Sequence, residues 1–272
     1  KEQYDSGKIA VAIGKSFRST GRDADMGLIG PMVQEVEDAV YRDESLRSVE
    51  KIQDEVEKVL MAHGFFAEAK NYILYRWTRT EKRRSLSSIL RHFGDGDDAP
   101  DGGQGHLCGR LSGVLRKIQE DYTAEEYDLS RLSDKFSGFC KPDMTFQDRL
   151  EALIKAAVEL TAQDAPHWEY IAGRLLSFSL DLRLEEVAES AGLHSFYDKV
   201  RYLTDEGLYG SYILENYTRA EICEAGTFIR PERNLIYNWS GLDLLIKRYI
   251  IRTHAHRPVE SVQEMFLGIA LH

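Results

Sequence analysis

The residues of this chain that could do chemistry are three cysteines, eight histidines and a few clusters of charge. Cys108, Cys140 and Cys223 lie far apart and in no C-x-x-C pair. That spacing offers neither a disulfide framework nor a zinc site and reads as reduced cytosolic thiols. Cys140 falls on the apolar side of a helical pattern, where a thiol is a small core hydrophobe. His254 and His256 flank Ala255, and H-x-H can chelate a metal. No Cys, Asp or Glu stands in helical register with them, so a solvated turn is expected. His63, beside Gly64, is placed to act as a cation at a helix C-terminus. The acids of Gly94–Gly105 (GDGDDAPDGGQG) lack the alternating ligands and twelfth-position Glu of a calcium loop. No metal is expected in the chain. The basic run Arg76 to Arg84 reads as a solvated helix end. No G-x-G-x-x-G, P-loop or nucleophile-elbow pattern occurs.

The elements that must position these residues are helices. At 272 residues the chain can hold a sizeable core in two or three compact units. Its net charge is −10, which argues against a general affinity for nucleic acid. No apolar run approaches the ~20 residues of a membrane span. Val49, Ile52, Val56, Val59 and Leu60 recur at helical spacing, and Gly64 stops the helix. A second amphipathic run, Ala67 to Arg79, makes an αα-hairpin. Gly94–Gly105 has no bulky apolar residue, so it is expected to be a flexible joint. Beyond it, helices are predicted over Leu107–Tyr122, Leu129–Phe139, about Thr145–Thr161 and Trp168–Leu180. Thr145 and Asp148 have the spacing of a capping box, and Pro166 is read at a first-turn position of the helix after it. Strand signals are confined to Phe228-Ile229 and Leu235-Ile236-Tyr237. The fold class expected is mainly α.

The wording of the hairpin is more specific than its periodicity. The pattern I-Q-D-x-V-E-x-x-L…G-x-x-x-x-A-K-x-Y-I-x-Y-R-x-x-R, Ile52 to Arg79, resembles the closing half of an ATP-cone. This is the small nucleotide-sensing domain in front of many ribonucleotide reductases. Glu2-Gln3-Tyr4-Asp5 followed by Lys8-Ile9 resembles the family's E-x-F-D-x-x-K-I. Family members carry a V-x-K-R-x-G strand and turn just before this point. Here the chain begins at Lys1, so the sequence reads as a piece of a longer protein, short of some basic residues of the site. A triphosphate needs converging cationic donors, and an adenine needs an apolar slot. The resemblance implies Lys8 as a phosphate donor and Ile9 as a wall of the base slot. It places Glu2 and Asp5 beside the base, Val49 and Gln53 one turn apart facing the pocket, and Arg76 or Arg79 supplying charge. Read without the resemblance, Ile9 and Val49 are core residues of a hairpin and Lys8 is a solvated lysine.

The remainder resembles the N-terminal helical region of the class I reductase large subunit. The residues that carry this are Ile118–Tyr122, Tyr127–Thr145, Leu153–Leu176, Phe196–Val200, Tyr212–Thr218, Thr227–Ile250 and Arg257–Ala270. Departures are the absent start, the acidic stretch, and Gly173 where the family usually has Ala. Ile52–Arg76 and Leu153–Leu176 share an amphipathic helix, a break and a second helix. That is either a weak internal repeat or the common look of helical hairpins.

The resemblance implies a small α/β ATP-cone, a truncated β-hairpin plus helices, over residues 1–90 and an acidic joint over 91–105. A cone-like helical region over 106–190 and a helical segment over 191–272 would follow, leading to a catalytic barrel. The family's thiyl-radical cysteine, redox pair and Glu/Asn set have no counterpart here, so no catalytic residue is expected in this chain. The implied function is allosteric: ATP and dATP bind to set overall activity of an enzyme that makes deoxyribonucleotides for DNA replication. The implied partners are the reductase small (beta) subunit and further large subunits, in the cytoplasm, with no nucleic acid or membrane. The alternatives are a non-catalytic cone-containing regulator and a helical interaction scaffold that binds no nucleotide.

Overall fold

The structure is a computed structural model that describes residues 5–94 and 104–272. Glu2 and most of the acidic stretch expected to be a joint lie outside the described residues. The chain divides into two compact units, Lys1–Arg83 and Arg84–His272.

Unit 1 is built from α1 (Ser6–Ser19), α2 (Met26–Arg42), α3 (Val49–Ala62) and α4 (Phe66–Arg91), the last continuing past the division. Side-chain caps start the first three: Asp5, Asp25 and Ser48 accept from backbone N–H groups of the following turn. Gly64 ends α3 at φ 77°, a left-handed conformation that costs glycine nothing. Its N–H donates to Met61 O at 3.0 Å and the Phe65 N–H to Leu60 O at 2.9 Å. These two bonds are the Schellman pattern, and they turn the chain into α4. The apolar stripes meet in one core that includes Ile13, Phe17, Val36 and Leu60. Phe65 closes it edge-on to Phe17 at 4.8 Å.

Unit 2 is organised by α8 (Trp168–Ala191), buried on nearly every side, as a central helix must be. Around it pack α5 (Gln104–Asp121), α6 (Leu129–Ser137), α7 (Phe146–Glu159) and α12 (Trp239–Arg248). Smaller clusters join α9 (Phe196–Asp205), α10 (Tyr212–Asn216), α11 (Arg219–Gly226) and α13 (Val262–Leu271). Trp168 is fully buried and donates its indole N–H to Glu126 O at 2.9 Å. The capping box of Thr145 and Asp148 forms as expected.

Several expectations are corrected. Among the described residues there is no strand, only isolated bridges at Ala162–Ala165 and Arg252–Pro258. The small hairpin expected in unit 1 is not among them. Leu235-Ile236 lies in a 3₁₀ segment, Pro231–Ile236, opened by its proline. A short apolar run cannot be told from a helical turn by periodicity alone. Pro166 precedes the N-cap His167 and so stands outside α8, which runs on to Ala191. α6 stops at Ser137, which leaves Cys140 in the turn after it, packed against the core. Gly173 has a packing reason: a Cβ there would collide with the Tyr237 carbonyl oxygen and sit 3.0 Å from the Asn238 carbonyl carbon. Among the described residues no helix is long and apolar enough to cross a membrane.

Candidate functional site

In unit 1 the cap geometry decides where the predicted site residues point. Asp5 Oδ1 accepts from the Gly7 N–H at 2.9 Å, so its carboxylate is already engaged in starting α1. Lys8 follows in the exposed first turn. Ile9 turns inward and is 7% exposed within the core of unit 1. Val49, the first residue of α3, is 56% exposed, and Gln53 one turn later is half-buried. Arg79 is exposed on α4.

Arg76 is the predicted site residue that the structure brings onto another helix. Its Nη1 donates to Asp54 Oδ1 at 2.5 Å and Glu57 Oε1 at 2.9 Å, and its Nη2 to Glu50 O at 3.2 Å. Residues 50, 54 and 57 form one acidic stripe on α3, the helix that also carries Val49 and Gln53. Partial burial works against the Arg76 charge, but the hydrogen bonds to Asp54 and Glu57 outweigh it and hold the guanidinium protonated. One turn earlier on α4, burial pushes the Tyr72 phenol up to about 12. These acids neighbour Arg76, a predicted site residue, and the sequence reading did not single them out. Their i, i+4, i+7 spacing was the available signal.

A second polar clasp fixes the far end of α1. Glu68, 1% exposed, accepts from Thr20 Oγ1 at 2.9 Å and lies 3.4 Å from Arg22 Nη1. Asn71 Nδ2 donates to Ser19 Oγ at 3.0 Å. A buried carboxylate tolerates its position only with such partners. Of the predicted site cations in unit 1, Lys8 and Arg79 stand exposed, on helices tied to their neighbours by Arg76 and Glu68.

The thiols and histidines of unit 2 are placed differently. Cys108 is buried and donates Sγ–H to Phe93 O at 3.3 Å. Burial pushes the Cys140 thiol up, with Arg149 opposing only in part. The Cys140 environment does not favour the thiolate that nucleophilic or redox chemistry requires. His256 takes φ 61° in the turn before Pro258, and His254 Nε2 stands 4.0 Å from Glu206 Oε2. Among the described residues no three of His, Cys, Asp and Glu converge.

Comparison with known proteins adds the family. Residues 1–81 match the ATP cone domain. Ribonucleoside-diphosphate reductase subunit alpha of Treponema pallidum (strain Nichols) is 43% identical over 279 residues, which covers 100% of this chain and 31% of that protein. Ribonucleoside-diphosphate reductase 1 subunit alpha of Escherichia coli (strain K12) is 31% identical over 121 residues, 44% of this chain and 16% of that protein. The subunit alpha of Enterobacteria phage T4 is 26% identical over 162 residues, 58% and 21% of the two chains. The chain thus spans about a third or less of the length of these relatives. Through residues 1–81 the chain belongs to the ATP-cone family, and along its whole length it is homologous to ribonucleoside-diphosphate reductase alpha subunits.

Proposed function

We propose that this chain is the N-terminal regulatory part of a ribonucleoside-diphosphate reductase alpha subunit, and that unit 1 takes ATP and dATP at one shared site. The observation that carries this is the coincidence of the ATP-cone match, residues 1–81, with a unit that folds around its own core. In this reading Lys8 and Arg79 give the phosphates their cationic donors. Arg76 keeps α4 against α3, because moving it to a phosphate would break two ion pairs. Ile9 supports the base slot from the core side, and Glu2, Asp5, Val49 and Gln53 flank it. The truncated β-hairpin of a small α/β cone belongs to this same reading.

The parent protein in this reading is a cytoplasmic oxidoreductase that reduces ribonucleoside diphosphates with a beta subunit and oligomerises through its alpha subunits. Nucleotide in unit 1 sets overall activity by favouring one assembly over another. The test is calorimetric titration of ATP into the 272-residue chain, repeated with dATP present. One saturable site whose ATP heat is abolished by dATP is expected. Independent binding of the two nucleotides would overturn the shared site, and no binding of either would leave unit 1 as a helical scaffold.

A further inference from the structure

In unit 2, α7, α8 and α12 enclose a cleft of about 660 Å3 whose lining carries one more cation than acid, in a chain of net charge −10. Two of the cations are accounted for. Lys247 pairs with Asp243 at 2.7 Å, and Lys155 lies 3.9 Å from Glu159. The other two, Arg183 and Arg252, make no ion pair among the described residues. Arg183 Nε donates to Ser179 O at 3.3 Å and Arg252 Nη2 to Ile246 O at 2.7 Å. A guanidinium has five N–H donors, so most of both forks is unspent.

The two arginines also act on each other. Burial lowers the affinity of Arg183 for its proton, Glu151 and Glu186 oppose this, and the neighbouring Arg252 charge adds to it. Glu151, on α7, is the acid that faces Arg183 in the cleft. It is exposed, takes a hydrogen bond from Gln147 Nε2 at 3.4 Å, and stays beyond ion-pair distance of either guanidinium. Two half-buried like charges, neither in an ion pair with a carboxylate among the described residues, are costly unless an anion joins them. Guanidinium forks are matched to tetrahedral oxyanions, which several N–H groups can hold at once. Trp239 and Ile154 give the same cleft a flat apolar wall.

We infer that the α7–α8–α12 cleft is an oxyanion site that takes a phosphate-bearing small molecule, its oxygens bridging Arg183 and Arg252. It lies wholly within unit 2 and does not depend on nucleotide binding in unit 1.

The experiment is calorimetric titration of inorganic phosphate into the 272-residue chain at constant ionic strength, with Trp239 fluorescence followed in parallel. One saturable site is expected, with a Trp239 signal that is lost in Trp239→Phe. Arg183→Gln and Arg252→Gln should each weaken phosphate by about tenfold, the scale of one charge-assisted contact. Arg183→Lys keeps the charge, loses the fork and should weaken it less, which guards against a glutamine variant that fails to fold. Lys8→Gln should leave phosphate binding unchanged. Absence of a saturable heat, full affinity in folded Arg183→Gln and Arg183→Lys, or loss with Lys8→Gln would overturn the site. Acetate binding as tightly as phosphate would overturn the phosphate assignment.

Discussion

Arg76 on α4 reaches Glu57 on α3 at 2.9 Å, and both side chains are largely shielded, 24% and 19% exposed. The pair, with Asp54 beside it, staples the α3–α4 hairpin on the side away from its Schellman turn. Fully exposed pairs contribute little, whereas partly buried ones cost more to break because a desolvated charge is left behind. Arg76→Gln should therefore destabilise unit 1 by about 1–2 kcal/mol in urea unfolding. ATP affinity, measured where the variant is folded, should change by less than about threefold. A large loss of affinity with no loss of stability would make Arg76 a ligand instead of a clamp.

Lys8 is the cation proposed to meet the phosphates. It stands in the exposed first turn of α1, next to the cap formed by Asp5. Lys8→Ala should weaken ATP by about 1.5–3 kcal/mol, one charge-assisted contact. Calorimetry on the variant checks both nucleotide and protein. Unchanged affinity would remove Lys8 from the site.

At Gly173 the α8 backbone approaches the Tyr237–Asn238 peptide closely. Gly173→Ala puts a methyl into that contact. Helix propensity favours alanine by up to about 1 kcal/mol, but overpacking a fixed backbone costs about 1–3 kcal/mol. The net expectation is destabilisation, read as a lower denaturant midpoint with unchanged slope. A stabilised variant would mean that the Pro231–Ile236 segment and the turn after it yield easily.

Asp181 on α8 lines a second cleft of unit 2, between the Arg110–Glu185 pair and the Lys199–Glu264 pair. Burial, reinforced by the Glu185 charge, pushes its carboxyl up to about 6. The folded state therefore holds this proton to higher pH than the unfolded chain, whose carboxyl titrates near 3.8. Between those values the folded state binds more protons, so stability falls as pH rises and is lowest above about 6. Asp181→Asn removes the titration. It should stabilise unit 2 by about 1–3 kcal/mol at pH 8 and by little below pH 4, as followed by thermal unfolding across pH. Equal effects at both ends of the range would show that Asp181 titrates normally.

What the sequence determined by itself was local. Thr145–Asp148 and Gly64 announced helix ends because capping and φ > 0 are decided within a few residues. The hairpin periodicity picked out Val56, Val59 and Leu60, which turn inward, but also Val49, which is 56% exposed at the start of α3, and the worded motifs carried the family. Tertiary structure decided the rest. The sequence could not say that Leu235-Ile236 would wind as a 3₁₀ segment beside α8, since a short apolar run fits either geometry and its packing partner chooses. Nor could it say that Arg76 would meet acids instead of solvent, or that Gly173 would touch the 237–238 backbone. Arg183 and Arg252 share one cleft although a long stretch of chain separates them. Only the folding of α12 back onto α8 brings them together, because side-chain convergence across distant helices is set by packing and leaves no trace in local spacing.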